Sequence, residues 1–232
     1  MRLRKLLPVT LYSIAMAYVE AVIVIYLRQL YHIEDVVRDM PTVIDRMTLF
    51  ELGREVATLA MLVGVAWASG RRWWERFAYL GYIWGVWDIW YYVWLAFLIG
   101  WPTSPLEWDL LFLLPLPWWG PVLSPALISL LMVIGAVVAL HEMDSSCKIE
   151  ANRLSIFTAS IGVMITLYTF MSDALKALPG GQEAILRARP TDFNWPLFLS
   201  GYLLMAFPAF RTLRAMQKTK KEAIKGVFSQ TA

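Results

Sequence analysis

The chain has 232 residues, of which 59% are hydrophobic and 17% are charged, and its mean hydropathy is +0.54. Soluble domains are nearer half apolar, so this composition indicates a protein that spans a membrane. The net charge of +3 is small and the basic residues lie at predicted helix ends and in the tail, which argues against a nucleic-acid-binding surface. The single cysteine, Cys147, excludes an internal disulfide and a metal site built from cysteines.

The first predicted element is a membrane helix from about Leu6 to Leu27. Its basic start and the segment Ala15–Ala17 imitate a signal peptide. The apolar run is too long for a signal peptide, and a crossing needs about 20 residues, so we expect a retained helix. Glu20 is the only charge in this helix. Ser13, Ala17 and Ala21 lie on nearly the same side as Glu20, and such small residues predict close contact with another helix.

The second predicted membrane helix, Thr48–Arg72, begins with a charge cluster and then runs apolar from Val56 to Ala68. The ionisable side chains of the cluster are Glu51, Arg54 and Glu55. Charged side chains at membrane depth are costly against lipid and usually face the interior of a bundle. We therefore expect the other helices to be arranged around this cluster.

Two opposite faces of the second helix carry different residues. One face consists of small residues, which are Gly53, Ala57, Ala60, Gly64 and Ala68. The other face carries the charge cluster and Thr58. Small residues permit close helix packing and charged residues need polar partners, so we expect protein against both faces. This would place the second helix near the centre of the bundle.

The third predicted helix covers about Phe77 to Gly100 and carries one acid, Asp88, near its middle. An acid near the middle of a membrane cannot reach water, so Asp88 is the leading single candidate for a role beyond packing. Gly81, Gly85 and Tyr92 share a face with Asp88. The two glycines predict that this face lies against a neighbouring backbone and away from lipid.

A proline- and tryptophan-rich segment, residues 101–121, follows the third helix. It contains five prolines, four tryptophans and no lysine or arginine. Its one apolar run, Leu110–Leu116, is too short to cross a membrane and is interrupted by proline. The segment therefore predicts a re-entrant or interfacial hairpin.

Three further membrane helices are predicted over about Val122–Leu140, Arg153–Ala177 and Phe193–Leu213. The predicted fold class is an all-α polytopic transmembrane helix bundle of about six spans. Residues 1–215 would form a single helical domain, and residues 216–232 a basic cytoplasmic tail. The amino end, the link at residues 70–76 and the tail are rich in lysine and arginine, so the positive-inside rule predicts both termini in the cytoplasm. The expected location is the cytoplasmic membrane of a prokaryote.

In this topology Glu20, Glu51, Arg54 and Glu55 come to similar depths in the outer half of the bundle. Asp88 lies somewhat deeper, and Asp173 lies close to the outer surface. The candidate ligand- or ion-binding residues are Glu20, Glu51, Arg54, Glu55, Asp88 and Tyr92. One internal arginine against several acids leaves negative charge in excess. Protonation, a bound cation or Arg28 at the helix boundary can balance that excess. The alternative is an arginine–carboxylate network that only fixes the register of the helices.

Several cofactor sites and catalytic motifs are not supported by the sequence. His32 and His141 are predicted at opposite ends of the bundle, so they cannot be axial haem ligands within one molecule. Di-iron carboxylate bundles use Glu-x-x-His pairs, and the sequence has none. Glu51 and Glu55 lie one helical turn apart, which is compatible with a metal but does not predict one. We therefore predict no metal site, leave the cofactor unknown, and find no nucleotide-binding or protease motif.

Three functions are compatible with these residues. The first is binding or transport of a cation, a proton or a small polar ligand from the outer side, beneath the 101–121 hairpin. The second is an integral membrane enzyme that uses its acids as general acid or base on a lipid or lipid-linked substrate. The third is a structural subunit of a membrane complex. The expected partners are the lipid bilayer and either a second copy of the chain or another membrane protein, and no nucleic acid is expected.

Overall fold

The computed structural model describes residues 5–40, 45–144 and 153–230, and helices dominate these ranges. The helices are α1 (Leu6–Leu30), α2 (Val36–Asp39), α3 (Arg46–Ser69), α4 (Trp73–Ile99), α5 (Leu123–Asp144), α6 (Arg153–Ala177), α7 (Gly181–Arg187) and α8 (Trp195–Gln230). Two short strands, β1 (Trp108–Phe112) and β2 (Trp118–Pro121), complete the fold. The all-α prediction is confirmed. Residues 1–4 of the basic amino end, and Cys147, lie outside the described ranges.

Five of the described helices are long and apolar enough to cross a membrane, namely α1, α4, α5, α6 and α8. Length and composition thus support a membrane protein. The helix predicted over Thr48–Arg72 is present as α3, which has 24 residues. Because α3 carries the charge cluster, it differs in character from the other long helices and is not among the five.

Helix α4 occupies the centre of one half of the bundle. Helices α1, α3 and α5 all pack against it. The other half consists of α6 packed on α8, and α8 also contacts α5. The buried side chains of α4 include Tyr79, Ile83, Trp87 and Leu95. A helix that is apolar on nearly every side suits this central position.

The predicted central position of α3 is wrong. Its buried residues follow a single stripe, which consists of Glu55, Thr58, Leu62 and Ala66. The opposite small-residue face is exposed at Gly53, Ala57, Ala60, Gly64 and Ala68. A Cβ atom added at Gly53 or Gly64 would meet no atom within 4 Å. The physical reason is that small residues suit a lipid-facing surface as well as a packed one, whereas charged residues require a polar partner. The charge cluster therefore decides which side of α3 meets the bundle.

The packing faces predicted on the first and third helices are confirmed. A Cβ atom at Gly85 of α4 would lie 2.5 Å from the backbone oxygen of Ser129 on α5, so only glycine allows this approach. Gly81 is one turn away, and its Cβ would lie 3.9 Å from the backbone oxygen of Met132. On α1 the residues Ser13, Ala17, Glu20 and Ala21 are all buried.

The segment between α4 and α5 forms the predicted hairpin, which takes the form of a two-stranded antiparallel sheet. Trp108 pairs with Pro121 and Leu110 pairs with Trp119, with an irregularity before Phe112. β2 packs on α6, where the Trp118 ring stacks on Phe170 at 6.4 Å between centroids. The hairpin thereby closes one end of the bundle between its two halves.

Candidate functional site

A cavity of about 170 Å³ lies where α1 ends and α3 begins. Its walls come from α1, α3, α4, the β1–β2 hairpin and the residues around α7. The ionisable side chains in its walls that can carry charge near neutral pH are Glu20, Arg28, Glu51, Arg54, Glu55, Asp88, Asp109 and Arg189. Aliphatic and aromatic side chains, including Val24, Leu27, Met47, Trp87 and Trp119, form much of the remaining wall.

The six residues selected from the sequence all line this cavity, and they are Glu20, Glu51, Arg54, Glu55, Asp88 and Tyr92. They come from α1, α3 and α4. Asp173, which the sequence places towards the same end of the bundle, is not part of the wall. It forms an exposed ion pair with Lys176 on α6 instead.

Arg54 connects α1 and α3 at the cavity. Its guanidinium forms ion pairs with Glu20 on α1 and with Glu51 on α3. Its Nε donates to Oε2 of Glu51 at 2.9 Å, and the Thr58 hydroxyl donates to Oε2 of Glu20 at 3.3 Å. Helices α1 and α3 each pack on α4 but are not a closely packed pair themselves. These polar contacts therefore join two helices whose backbones are not in close contact.

Glu55 connects α3 to the hairpin and also faces the cavity. The residue is only 4% exposed. Its Oε1 accepts a hydrogen bond from the backbone N–H of Leu113 at 2.9 Å. Its Oε2 is buried and has no hydrogen-bond partner among the described residues. A buried carboxylate oxygen without a donor is costly, so Glu55 has capacity for one further polar contact.

Asp109 joins the hairpin to α1 and α4. Arg28 Nη2 lies 3.7 Å from Oδ1 of Asp109, and the Tyr92 hydroxyl donates to Oδ2 at 3.1 Å. The Arg28 guanidinium also lies over the Trp101 ring, 3.9 Å from its centroid. Burial raises the pKa of the Asp109 carboxyl to about 6, although Arg28 and Tyr92 favour its charged form.

Asp88 lies on the α4 face that packs against α5. The Ser129 hydroxyl donates to Oδ2 of Asp88 at 2.7 Å. Among the described residues, no basic nitrogen lies within the 4.0 Å that defines an ion pair of Asp88 or of Glu55. Neither acid therefore forms a direct ion pair with an arginine, although the positive charge of Arg54 still acts on Glu55.

Two loops approach each other beside the cavity. The Arg189 guanidinium, which follows α7, donates to the backbone oxygen of Met40 at 2.7 Å. It also donates to the backbone oxygen of Leu186 at 2.9 Å. The Arg189 guanidinium thus donates to backbone carbonyl groups and forms no ion pair with an acid of the cavity wall. On the other side, Tyr31 donates to Asp45, the residue that caps α3.

The structure adds Asp109 and Arg189 to the site. Asp109 carried a signal, because it is the one acid next to the apolar run of a segment without basic residues. Arg189 carried none, since nothing local indicates that its loop reaches Met40. Within the described residues, no group of three His, Cys, Asp or Glu side chains is placed to hold a metal ion. No protein-family model, curated protein or solved structure matches the chain.

Proposed function

We propose that this chain is a multi-pass membrane protein whose cavity binds a cation or a small polar ligand. The observation that carries the proposal is the Glu55 carboxylate, which is buried, lines the cavity and keeps one oxygen without a partner among the described residues. Asp88 adds a second acid without an arginine beside it. Negative charge in excess within a low-dielectric wall attracts a positive ligand.

In the proposed arrangement the five apolar helices and α3 together make six membrane crossings, and both termini lie in the cytoplasm. Successive long helices then alternate in direction, and the basic residues Lys5, Arg71 and Arg72 share one side. The cavity is at the opposite side, because it lies where α1 ends and α3 begins. A ligand would therefore reach it from outside the cell. Transport would require a second opening towards the cytoplasm, so binding is the function that we propose.

A thermal-unfolding experiment on the purified full chain in detergent tests the binding function. The probes are K⁺, Ca²⁺, ammonium and small organic amines, each titrated at constant pH. A ligand that binds only the folded state raises the unfolding midpoint, by an amount equivalent to about 2.7 kcal/mol at a hundred times its Kd. We expect at least one probe to stabilise the wild type and to lose its effect in Glu55→Gln.

The control variant is Glu183→Gln, which removes an equivalent carboxylate from an exposed ion pair on α7. It should respond to the probes as the wild type does. If every probe leaves the wild type unchanged, or shifts the wild type and Glu55→Gln equally, the cavity is not a cation site. The contacts of Arg54 would then be purely architectural.

A further inference from the structure

We infer that the ligand of the cavity is an organic ammonium ion that carries a short apolar body. The inference rests on the proposed function and specifies its ligand. Three features support it: the unmatched acids, the absence of a metal cage among the described residues, and the aromatic and aliphatic character of the rest of the wall.

The acids suit an ammonium group better than a bare metal ion. Calcium takes six to eight oxygen ligands and magnesium takes six, whereas an ammonium group donates at most three hydrogen bonds. Glu55 offers Oε2, because its other oxygen already accepts from Leu113. Asp88 offers Oδ1, because its other oxygen accepts from Ser129. Each of these oxygens can accept one hydrogen bond from such a group.

The remaining wall suits an apolar body next to that charge. Trp87, Tyr91 and Trp119 contribute aromatic surface, and Leu110 contributes aliphatic surface. Aromatic faces attract ammonium ions when the two lie within about 6 Å. The cavity is smaller than the 300–1,000 Å³ typical of sites for drug-sized ligands, and an apolar cavity of about 150 Å³ accommodates benzene. One ring or a short alkyl chain therefore fits.

Probes of nearly equal shape separate the contribution of the ammonium charge to binding from that of the apolar body. Benzylammonium, benzyl alcohol and benzoate are titrated by calorimetry into the full chain in a nonionic detergent, which carries no ammonium group of its own. We expect benzylammonium to bind, benzyl alcohol to bind about 10- to 100-fold more weakly because it lacks the charge, and benzoate not to bind. Methylammonium should also bind more weakly than benzylammonium, since it lacks the apolar body.

The variants locate the ammonium group. Glu55→Gln and Asp88→Asn keep acceptors for Leu113 and Ser129 but remove a negative charge, and each should weaken benzylammonium binding about 10- to 100-fold. Glu183→Gln should leave the affinity unchanged. Gel filtration and circular dichroism identify any variant that fails to fold, and the other variant then carries the test. Unaltered affinity in either folded acid variant would overturn the assignment.

An ammonium group has two sources at a membrane, a free amine and the headgroup of an amine-bearing phospholipid. Nanodiscs made of phosphatidylethanolamine or of phosphatidylcholine distinguish them. If the headgroup is the natural occupant, benzylammonium binds more weakly in the former discs because the lipid competes. Equal affinity in both discs assigns the site to a free amine.

The outcomes separate this inference from the function on which it rests. If K⁺ or Ca²⁺ stabilises the protein through Glu55 while benzylammonium does not bind, the cation site stands and the organic ligand is wrong. If benzylammonium and benzyl alcohol bind equally, charge does not contribute to recognition: the ammonium assignment fails, and only the binding of a small polar ligand stands. If no probe binds, both statements fail.

Discussion

The α6–α8 pair and the α1–α3 pair are held together by different means. In the α6–α8 half the backbones touch: a Cβ atom at Gly162 would lie 2.5 Å from the backbone oxygen of Gly201. In the other half, α1 and α3 are joined near their shared end by the Arg54 and Glu20 side chains. Glycine contacts leave no space between helices, whereas long charged side chains hold helices apart. The cavity lies where side chains replace backbone contact.

Loss of the ionic contacts between α1 and α3 should destabilise the protein most. Arg54→Ala leaves the buried Glu20 and the half-buried Glu51 without their cation, and removing one partner of a buried pair costs about 3–5 kcal/mol. We expect a strongly lowered unfolding midpoint in detergent. Arg187→Ala, which disrupts an exposed pair with Glu183, is the matched control and should change the midpoint little. Equal midpoints for the two variants would show that Arg54 does not connect α1 to α3.

Substitution of a glycine at the α6–α8 contact should lower stability by an intermediate amount. Gly162→Ala forces the α6 and α8 backbones apart, and such overpacking typically costs about 1–3 kcal/mol. Gly64→Ala on α3 is the matched control, because no atom lies within 4 Å of the added Cβ. It should be neutral or slightly stabilising, since alanine favours a helix over glycine. A large loss of stability in Gly64→Ala would reveal that a partner covers the exposed face of α3 in the intact protein.

Loss of the cap at the start of α3 should destabilise the protein only slightly, and by an amount that depends on pH. The Thr48 backbone N–H and the Tyr31 hydroxyl hold the pKa of Asp45 below its usual value. A depressed folded-state pKa contributes stability above the unfolded value, near 3.9, and that contribution is lost as pH falls through the folded-state pKa. Asp45→Ala should therefore melt slightly below the wild type at pH 7. The two melting curves should converge below about pH 4, and a constant difference across this range would contradict the assignment.

The sequence was sufficient to predict the features that depend on local pattern. Apolar length identified the long helices, and Gly85 correctly predicted the face of α4 that packs on a backbone. Charge identified the residues that line one cavity, because Glu20, Arg54 and Asp88 each need a polar partner. Each of these features depends only on the properties of a residue and of its neighbours in the same segment.

The missed features depend on contacts between distant segments. The small-residue face of α3 was expected to be buried, but glycine and alanine permit packing without requiring it. Asp109 enters the cavity only because β1 pairs with β2 and the hairpin turns towards Arg28. Arg189 reaches Met40 across 149 positions of chain, which no local pattern encodes.

The carboxylate of Glu55 holds the hairpin beside the cavity. One oxygen of Glu55 accepts from the backbone of Leu113, its other oxygen has no hydrogen-bond partner among the described residues, and the residue lines the cavity. Any change in the charge on this carboxylate alters its contact with Leu113 and its contact with a ligand together, because they share one delocalised group. Occupancy of the cavity is consequently linked to the mobility of the segment around Leu113. The rate of hydrogen exchange at the Leu113 amide would therefore change when a ligand binds in the cavity.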